Sequence, residues 1–197
     1  GTFAAGQTAA AAFTNTYSAQ PVTLEGTDAF KVQKSYDYWN VTPDESFTFT
    51  LQGFDGAPMP AGSDTASTDT ITVQNGDAVS FGDIEYTRPG TYIYNIRESV
   101  PSVQTPGINY SRALYRVTVT VTDDGEGNLS VESSMLKVTD DDGTRLDTPQ
   151  PADTAVFTND YSADTDYASI TAQKDYTDLS GGNPLTYNMF SFRLTRV

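Results

Sequence analysis

Pro89-Gly90-Thr91-Tyr92-Ile93-Tyr94-Asn95-Ile96-Arg97-Glu98 carries the plan of the fold in ten residues. Pro-Gly is a turn pair, and the residues after it are mostly β-branched or aromatic, which suits a pleated strand better than a helix. Alternate residues of a strand share a face. Tyr92, Tyr94, Ile96 and Glu98 therefore lie on one side, and Thr91, Ile93, Asn95 and Arg97 on the other. A carboxyl ends the more apolar face.

The same texture extends in both directions. Alternating Thr, Val, Tyr and Phe predict strands over residues 29–38, 46–52, 71–73, 79–86, 90–98, 113–122, 129–138 and 155–161. Turn pairs punctuate them at Asn75-Gly76, Pro106-Gly107 and Asp142-Gly143, and residues 123–128 form a hairpin loop. No stretch reads as a helix. Short strands at this spacing predict an all-β, two-sheet β-sandwich.

Composition narrows the chemistry. The 197 residues include no Cys and no His, and 11 Lys+Arg stand against 26 Asp+Glu for a formal charge of −15. The usual zinc, haem and iron–sulfur sites, a disulfide, a thiol nucleophile and a Ser-His-Asp triad are all excluded. No metal or cofactor is expected. Such acidity repels phosphate backbones and anionic lipid, so neither nucleic acid nor a membrane surface is an expected partner. No run approaches the ~18 apolar residues of a membrane span. The first basic residue is Lys31, so no signal peptide is visible. Any export signal or anchor is expected outside this sequence.

Internal repetition reorganises the chain. Phe13-Thr14-Asn15-Thr16-Tyr17-Ser18-Ala19 recurs as Phe157-Thr158-Asn159-Asp160-Tyr161-Ser162-Ala163. Gln33-Lys34-Ser35-Tyr36 recurs as Gln173-Lys174-Asp175-Tyr176, and Phe47-Thr48-Phe49-Thr50-Leu51 as Phe190-Ser191-Phe192-Arg193-Leu194. The simplest parse is a tandem array sampled off register. Residues 1–19 end one repeat, 28–162 make a complete domain, and 168–197 begin another.

Parity then singles out three polar residues. In the first long strand Phe30, Val32, Lys34, Tyr36 and Tyr38 share a face, which sets Lys34 toward the core. In the last, Asn159 points with Ala155, Phe157 and Tyr161. Together with Glu98, an amine, a carboxyl and a carboxamide stand on the apolar sides of three strands. Each alone has an ordinary explanation: a Lys snorkels, a strand-end Glu sits at the rim, an Asn satisfies a backbone group. Yet Lys34 and Asn159 recur, with flanking aromatics, as Lys174 and Asn15, a register that surface residues have no reason to keep.

Chemistry joins the three. Burial disfavours the charged forms of both Lys and Glu, giving a neutral amine that can attack and an acid that can bond to the Asn side-chain carbonyl and polarise it. Attack of Lys34 Nζ on Asn159 Cγ, with Glu98 relaying protons, expels ammonia and leaves an amide between side chains.

These residues resemble the pilin isopeptide-linkage domains (FctA-like, related to CnaB-type modules) of Gram-positive surface pili and adhesins. The similarity runs through Phe30-Lys31-Val32-Gln33-Lys34, Phe47 to Leu51, Pro89 to Glu98, Pro106-Gly107-Ile108-Asn109-Tyr110, Tyr115 to Val121, and Phe157-Thr158-Asn159. It implies an inverse immunoglobulin-like sandwich whose first and last strands are joined by a spontaneous Lys34–Asn159 isopeptide bond under catalysis by Glu98. It also implies a structural stalk module of a cell-wall-attached pilin or adhesin. The expected neighbours are further repeats of the parent chain, and any host ligand is unknown. Asn15 has no such Lys or Glu strand ahead of it, and Lys174 no such Glu or Asn strand behind it, so neither is expected to be crosslinked.

Three other readings compete. Asp123, Asp124, Glu126 and Asn128 with Asp140, Asp141 and Asp142 offer oxygen ligands for a calcium-stabilised module, without an EF-hand's spacing. Exposed Tyr or Trp39 offers a glycan- or host-protein-binding adhesin face, although a large aromatic is more often a packing residue. Glu98 with Asp83 or Glu85 evokes a glycosidase pair, which requires a defined separation in a cleft. Self-crosslinking is a single event, not turnover, so an enzyme is not expected.

Overall fold

The computed structural model describes residues 12–74, 76–163, 169–175, 177 and 191–195. They belong to two units, Gly1–Ala163 and Asp164–Val197. The described residues of the second unit form no strand and are exposed. Much of the expected flanking repeats, including residues 1–11, Tyr176 and Phe190, lies outside the described residues, as does Asn75 of the predicted turn.

The first unit is built in the order β1 (Val22–Leu24), α1 (Gly26–Ala29), β2 (Lys31–Ser35), β3 (Phe47–Gly53), β4 (Thr68–Val73), β5 (Ala78–Ser80), β6 (Ile84–Tyr86) and β7 (Gly90–Ser99). It continues through β8 (Ile108–Asn109), β9 (Leu114–Asp123), β10 (Leu129–Thr139), β11 (Arg145–Ala152), β12 (Ala155–Thr158) and β13 (Asp160–Tyr161). A six-stranded sheet runs β11-β10-β9-β7-β3-β4, and a three-stranded sheet runs β12-β2-β5. Two strand pairs, β1-β6 and β13-β8, close the ends. The architecture is the expected all-β sandwich.

Alternation decides what each sheet turns inward. β3 buries Phe47, Phe49, Leu51 and Gly53 and leaves the residues between them partly exposed. β7 buries Tyr94, Ile96 and Glu98, and β9 buries Tyr115, Val117, Val119 and Val121. From the smaller sheet come Val32, Lys34, Ala155 and Phe157. Rings cross the seam: Phe157 lies 4.9 Å from Phe49 and 5.3 Å from Tyr115 between centroids. Strands β2 and β12 are parallel neighbours, with Lys34 opposite Phe157.

Several boundaries differ from the sequence reading. The predicted strand 79–86 divides into β5 and β6, which belong to different sheets. Between them Phe81 turns into the core with its N–H on Phe30 O, and the Asp83 carboxylate accepts the Gly26 N–H. The predicted strand 29–38 narrows to β2, because Val41 and Thr42 fold back to bond Tyr38 O. Strand 155–161 breaks at Asn159, and β13 pairs with β8 instead. One turn of helix, α1, forms where none was expected. β11 escaped notice because Pro149 and Pro151 sit in it; it is an edge strand, where a missing N–H is tolerated.

The turn into β2 requires glycine at position 26. A Cβ there would stand 1.8 Å from the Phe81 carbonyl oxygen. That oxygen is backbone and cannot rotate away. Gly26→Ala is therefore expected to destabilise the domain by about 1–3 kcal/mol, the usual cost of overpacking, measured as a lowered chemical-denaturation midpoint with an unchanged slope.

Candidate functional site

The two sheets meet at Lys34, Glu98 and Asn159. Lys34 is fixed by the β2 ladder, with Ser35 O accepting the Asn159 N–H at 3.0 Å. Asn159 follows β12 directly, two residues beyond Phe157. Glu98 comes from the opposite sheet, in register with Phe49 of β3. All three are buried, at 2%, 6% and 2% exposure. Lys34 Nζ donates to Glu98 Oε2 at 2.9 Å, and Asn159 Nδ2 donates to Glu98 Oε1 at 2.7 Å. One carboxylate thus bridges the amine and the carboxamide, an oxygen to each.

Sequence reasoning expected Glu98 to bond the Asn159 carbonyl, and the structure corrects this. Asn159 Oδ1 accepts the buried Ser111 N–H at 2.7 Å. A backbone N–H can only donate, so the amide oxygen must face Ser111 and the amide nitrogen must face Glu98. Ser111, 1% exposed, was missed because the group that matters is its main-chain N–H, which has no signature in a side-chain pattern.

Electrostatics push both ionisable partners toward neutrality. Burial lowers the Lys34 pKa to about 8, against the pull of the Glu98 charge and hydrogen bond. Burial raises that of Glu98, opposed by Lys34 and by the hydrogen bonds from Asn159 and Lys34. Burial thus brings the proton affinities of the amine and the carboxylate closer together than they are in water. The Phe47 ring lies 4.4 Å from Nζ. Phe47 in turn packs on Tyr36, Trp39 and Tyr110, an aromatic cover that keeps water from the site. Trp39 is half-buried in that cover.

The other candidates lie elsewhere. Asn15 and Lys174 are exposed. Close to Asn15, Tyr17 donates to Asp123 and the Gln20 N–H to Gly127 O, so the leading segment rests on the β9–β10 hairpin. The Asp124 carboxylate is occupied by Glu126 and Asn128 of its own loop, and Asp140 and Asp141 by Lys137. Among the described residues no three acidic groups gather as a metal would require. Asp83 holds Gly26, and Glu98 faces Lys34 and Asn159 across the core, so these carboxylates do not form a pair in a cleft. No described helix is long and apolar enough to cross a membrane.

The family model FctA, described as a Spy0128-like isopeptide containing domain, matches residues 30–162. Solved structures similar to the chain include a major pilin (T-13) of Streptococcus pyogenes, at 18% identity and TM-score 0.41, covering 73% of this chain and 54% of the pilin. A mutant major pilin of Streptococcus pyogenes matches at 17% identity and TM-score 0.39, covering 68% and 50%. The chain thus spans about half the length of these pilins. No curated protein matches it.

Removing the carboxylate isolates the buried amine. In Glu98→Ala only the weaker pull of the Asp141 charge still opposes the desolvation of Lys34, so its pKa is expected to fall further below about 8. A depressed lysine pKa means that the unfolded chain binds more protons. Stability of this variant should therefore rise as pH climbs toward the ordinary lysine value near 10.5. Nitrogen-detected NMR of Nζ, with denaturation followed between neutral and alkaline pH, checks both.

Proposed function

The chain belongs to the FctA family of Spy0128-like isopeptide containing domains, and on that premise we propose that it is a stalk module stapled by a self-formed Lys34–Asn159 isopeptide bond. The observation that carries this reading is the buried carboxylate of Glu98, which touches the amine and the carboxamide at once.

The geometry supports a balanced sequence of steps. Nζ gives a proton to Glu98 Oε2, and its lone pair attacks Asn159 Cγ. Negative charge develops on Oδ1, where the Ser111 N–H already points; such preorganised donors act strongly in a water-excluded site. Glu98 passes the first proton through Oε1 to Nδ2 and takes the second proton from Nζ at Oε2, and the Cγ–Nδ2 bond breaks. Glu98 then gives its proton to the departing ammonia, so the protonated amine and the carboxamide become one secondary amide and one ammonium ion, and Glu98 returns to the carboxylate. Folding supplies the proximity, worth up to ~7–11 kcal/mol in well-oriented intramolecular reactions.

The parallel pairing of β2 and β12 supports a mechanical role. Tension entering at the start of β2 reaches Lys34 within that strand, crosses the amide to Asn159 and leaves toward β13. The residues between 35 and 158 stay outside the load path. The bond also closes a loop of roughly 125 residues, which chain entropy values at about 5 kcal/mol. An amide, unlike a disulfide, survives reduction, so the absence of cysteine suits such a protein. The recurrence of the Lys and Asn segments at Lys174 and Asn15 favours a tandem array with neighbouring repeats as partners, and membership of this isopeptide-domain family favours a structural rather than a catalytic place on a Gram-positive surface.

Intact mass tests the reading. The folded protein should be lighter than its sequence by one ammonia, and Glu98→Ala should show the unmodified mass and a melting temperature lowered in keeping with the loss of about 5 kcal/mol. An unmodified mass in the folded wild type would contradict it.

A further inference from the structure

Ser111 lies between β8 and β9, outside any strand, so no ladder aims its N–H at Asn159. The Asp141 carboxylate does that instead. Its Oδ1 accepts the Ser111 hydroxyl at 2.5 Å and the Thr158 N–H at 2.8 Å. Its main-chain oxygen accepts the Arg112 N–H at 2.9 Å. Ser111 Oγ takes the Ala113 N–H as well, completing the turn. Thr158 belongs to β12, the edge of its sheet, and Asp141 stands where a further strand would bond it. One carboxylate oxygen thereby joins the residue whose N–H meets Asn159 Oδ1 to the residue preceding Asn159.

We propose that Asp141 is a positioning residue for bond formation, holding the Ser111 N–H against the developing charge on Asn159 Oδ1. The inference rests on the crosslinking reading. Asp141 touches neither reacting nitrogen nor the carboxamide; its charge is felt weakly at Lys34 and Glu98, and its hydrogen bonds act through Ser111 and Thr158. Hydrogen bonds to an ionised carboxylate are the strong ones. By contrast, the Lys137 Nζ pairs with Asp140 and with Asp141 Oδ2 at the partly exposed surface, and such pairs contribute little. Removing one donor of this kind from an acyl-transfer site costs about 10²–10³ in rate. Misplacing it is expected to cost tenfold or more.

The test is a time course of ammonia loss by intact mass during cell-free synthesis of the full chain. Asp141→Ala should crosslink at least tenfold more slowly than wild type. Asp141→Asn keeps an acceptor at Oδ1 and should recover most of the rate, while Lys137→Gln should leave it unchanged. Melting of Asp141→Ala in the Glu98→Ala background, where no bond forms, measures the purely structural cost and should shift by only a few degrees. If Asp141→Ala does not fold, Ser111→Ala takes its place, since it cuts the same tie and keeps the N–H; it should be slow. A wild-type rate in Asp141→Ala or Ser111→Ala, or no recovery in Asp141→Asn, overturns the proposal. A wild type that never loses ammonia refutes the crosslinking reading itself.

Discussion

The Glu98 carboxylate, held between Lys34 Nζ and Asn159 Nδ2 in the seam of the sandwich, is the constraint on which the rest of the structure depends. Three polar groups in an apolar core would each cost several kcal/mol if left alone. Here each is bonded to another, and the remaining Asn159 oxygen is taken by Ser111. Such a cluster fixes the register of β2 against β12 and the approach of β7 from the opposite sheet. A one-residue slip of any of these strands would turn its polar group out of the core. The same desolvation that makes the cluster costly shifts the amine and the carboxyl toward their neutral forms, which is the condition for acyl transfer.

The aromatic residues follow from this. Phe47, Phe49 and Phe157 surround the polar seam, and Tyr36, Trp39 and Tyr110 extend the cover outward. Their bulk supplies the burial that an uncrosslinked domain needs to fold around an ion pair. It also excludes the water that would solvate Lys34. Packing and reactivity are two consequences of one arrangement. The crosslink proposed here, a covalent amide between neighbouring parallel strands, would make the packed sandwich secondary in carrying load.

Much of this was legible in the sequence, because strand periodicity is a strong signal. Parity alone set Lys34 with Val32, Glu98 with Ile96, and Asn159 with Phe157, and the buried positions of β2, β7 and β12 follow the same alternation. What escaped depends on contacts distant in sequence or on the main chain. Phe81 ends β5 by turning inward, which a pattern of apolar residues over 79–86 cannot distinguish from a continuous strand. β11 hides behind Pro149 and Pro151, whose tolerance depends on its edge position. The orientation of the Asn159 amide follows from a backbone donor at Ser111, and the placement of that donor from a carboxylate 30 residues away.

Peptide mapping of the folded protein by tandem mass spectrometry reads the crosslink itself. A branched peptide is expected in which Lys34 Nζ is amide-bonded to Asn159 Cγ, with no linear peptide carrying an unmodified Asn159. Recovery of linear peptides with Lys34 and Asn159 both intact, or a branch at Lys31 on the opposite face of the strand, would contradict it.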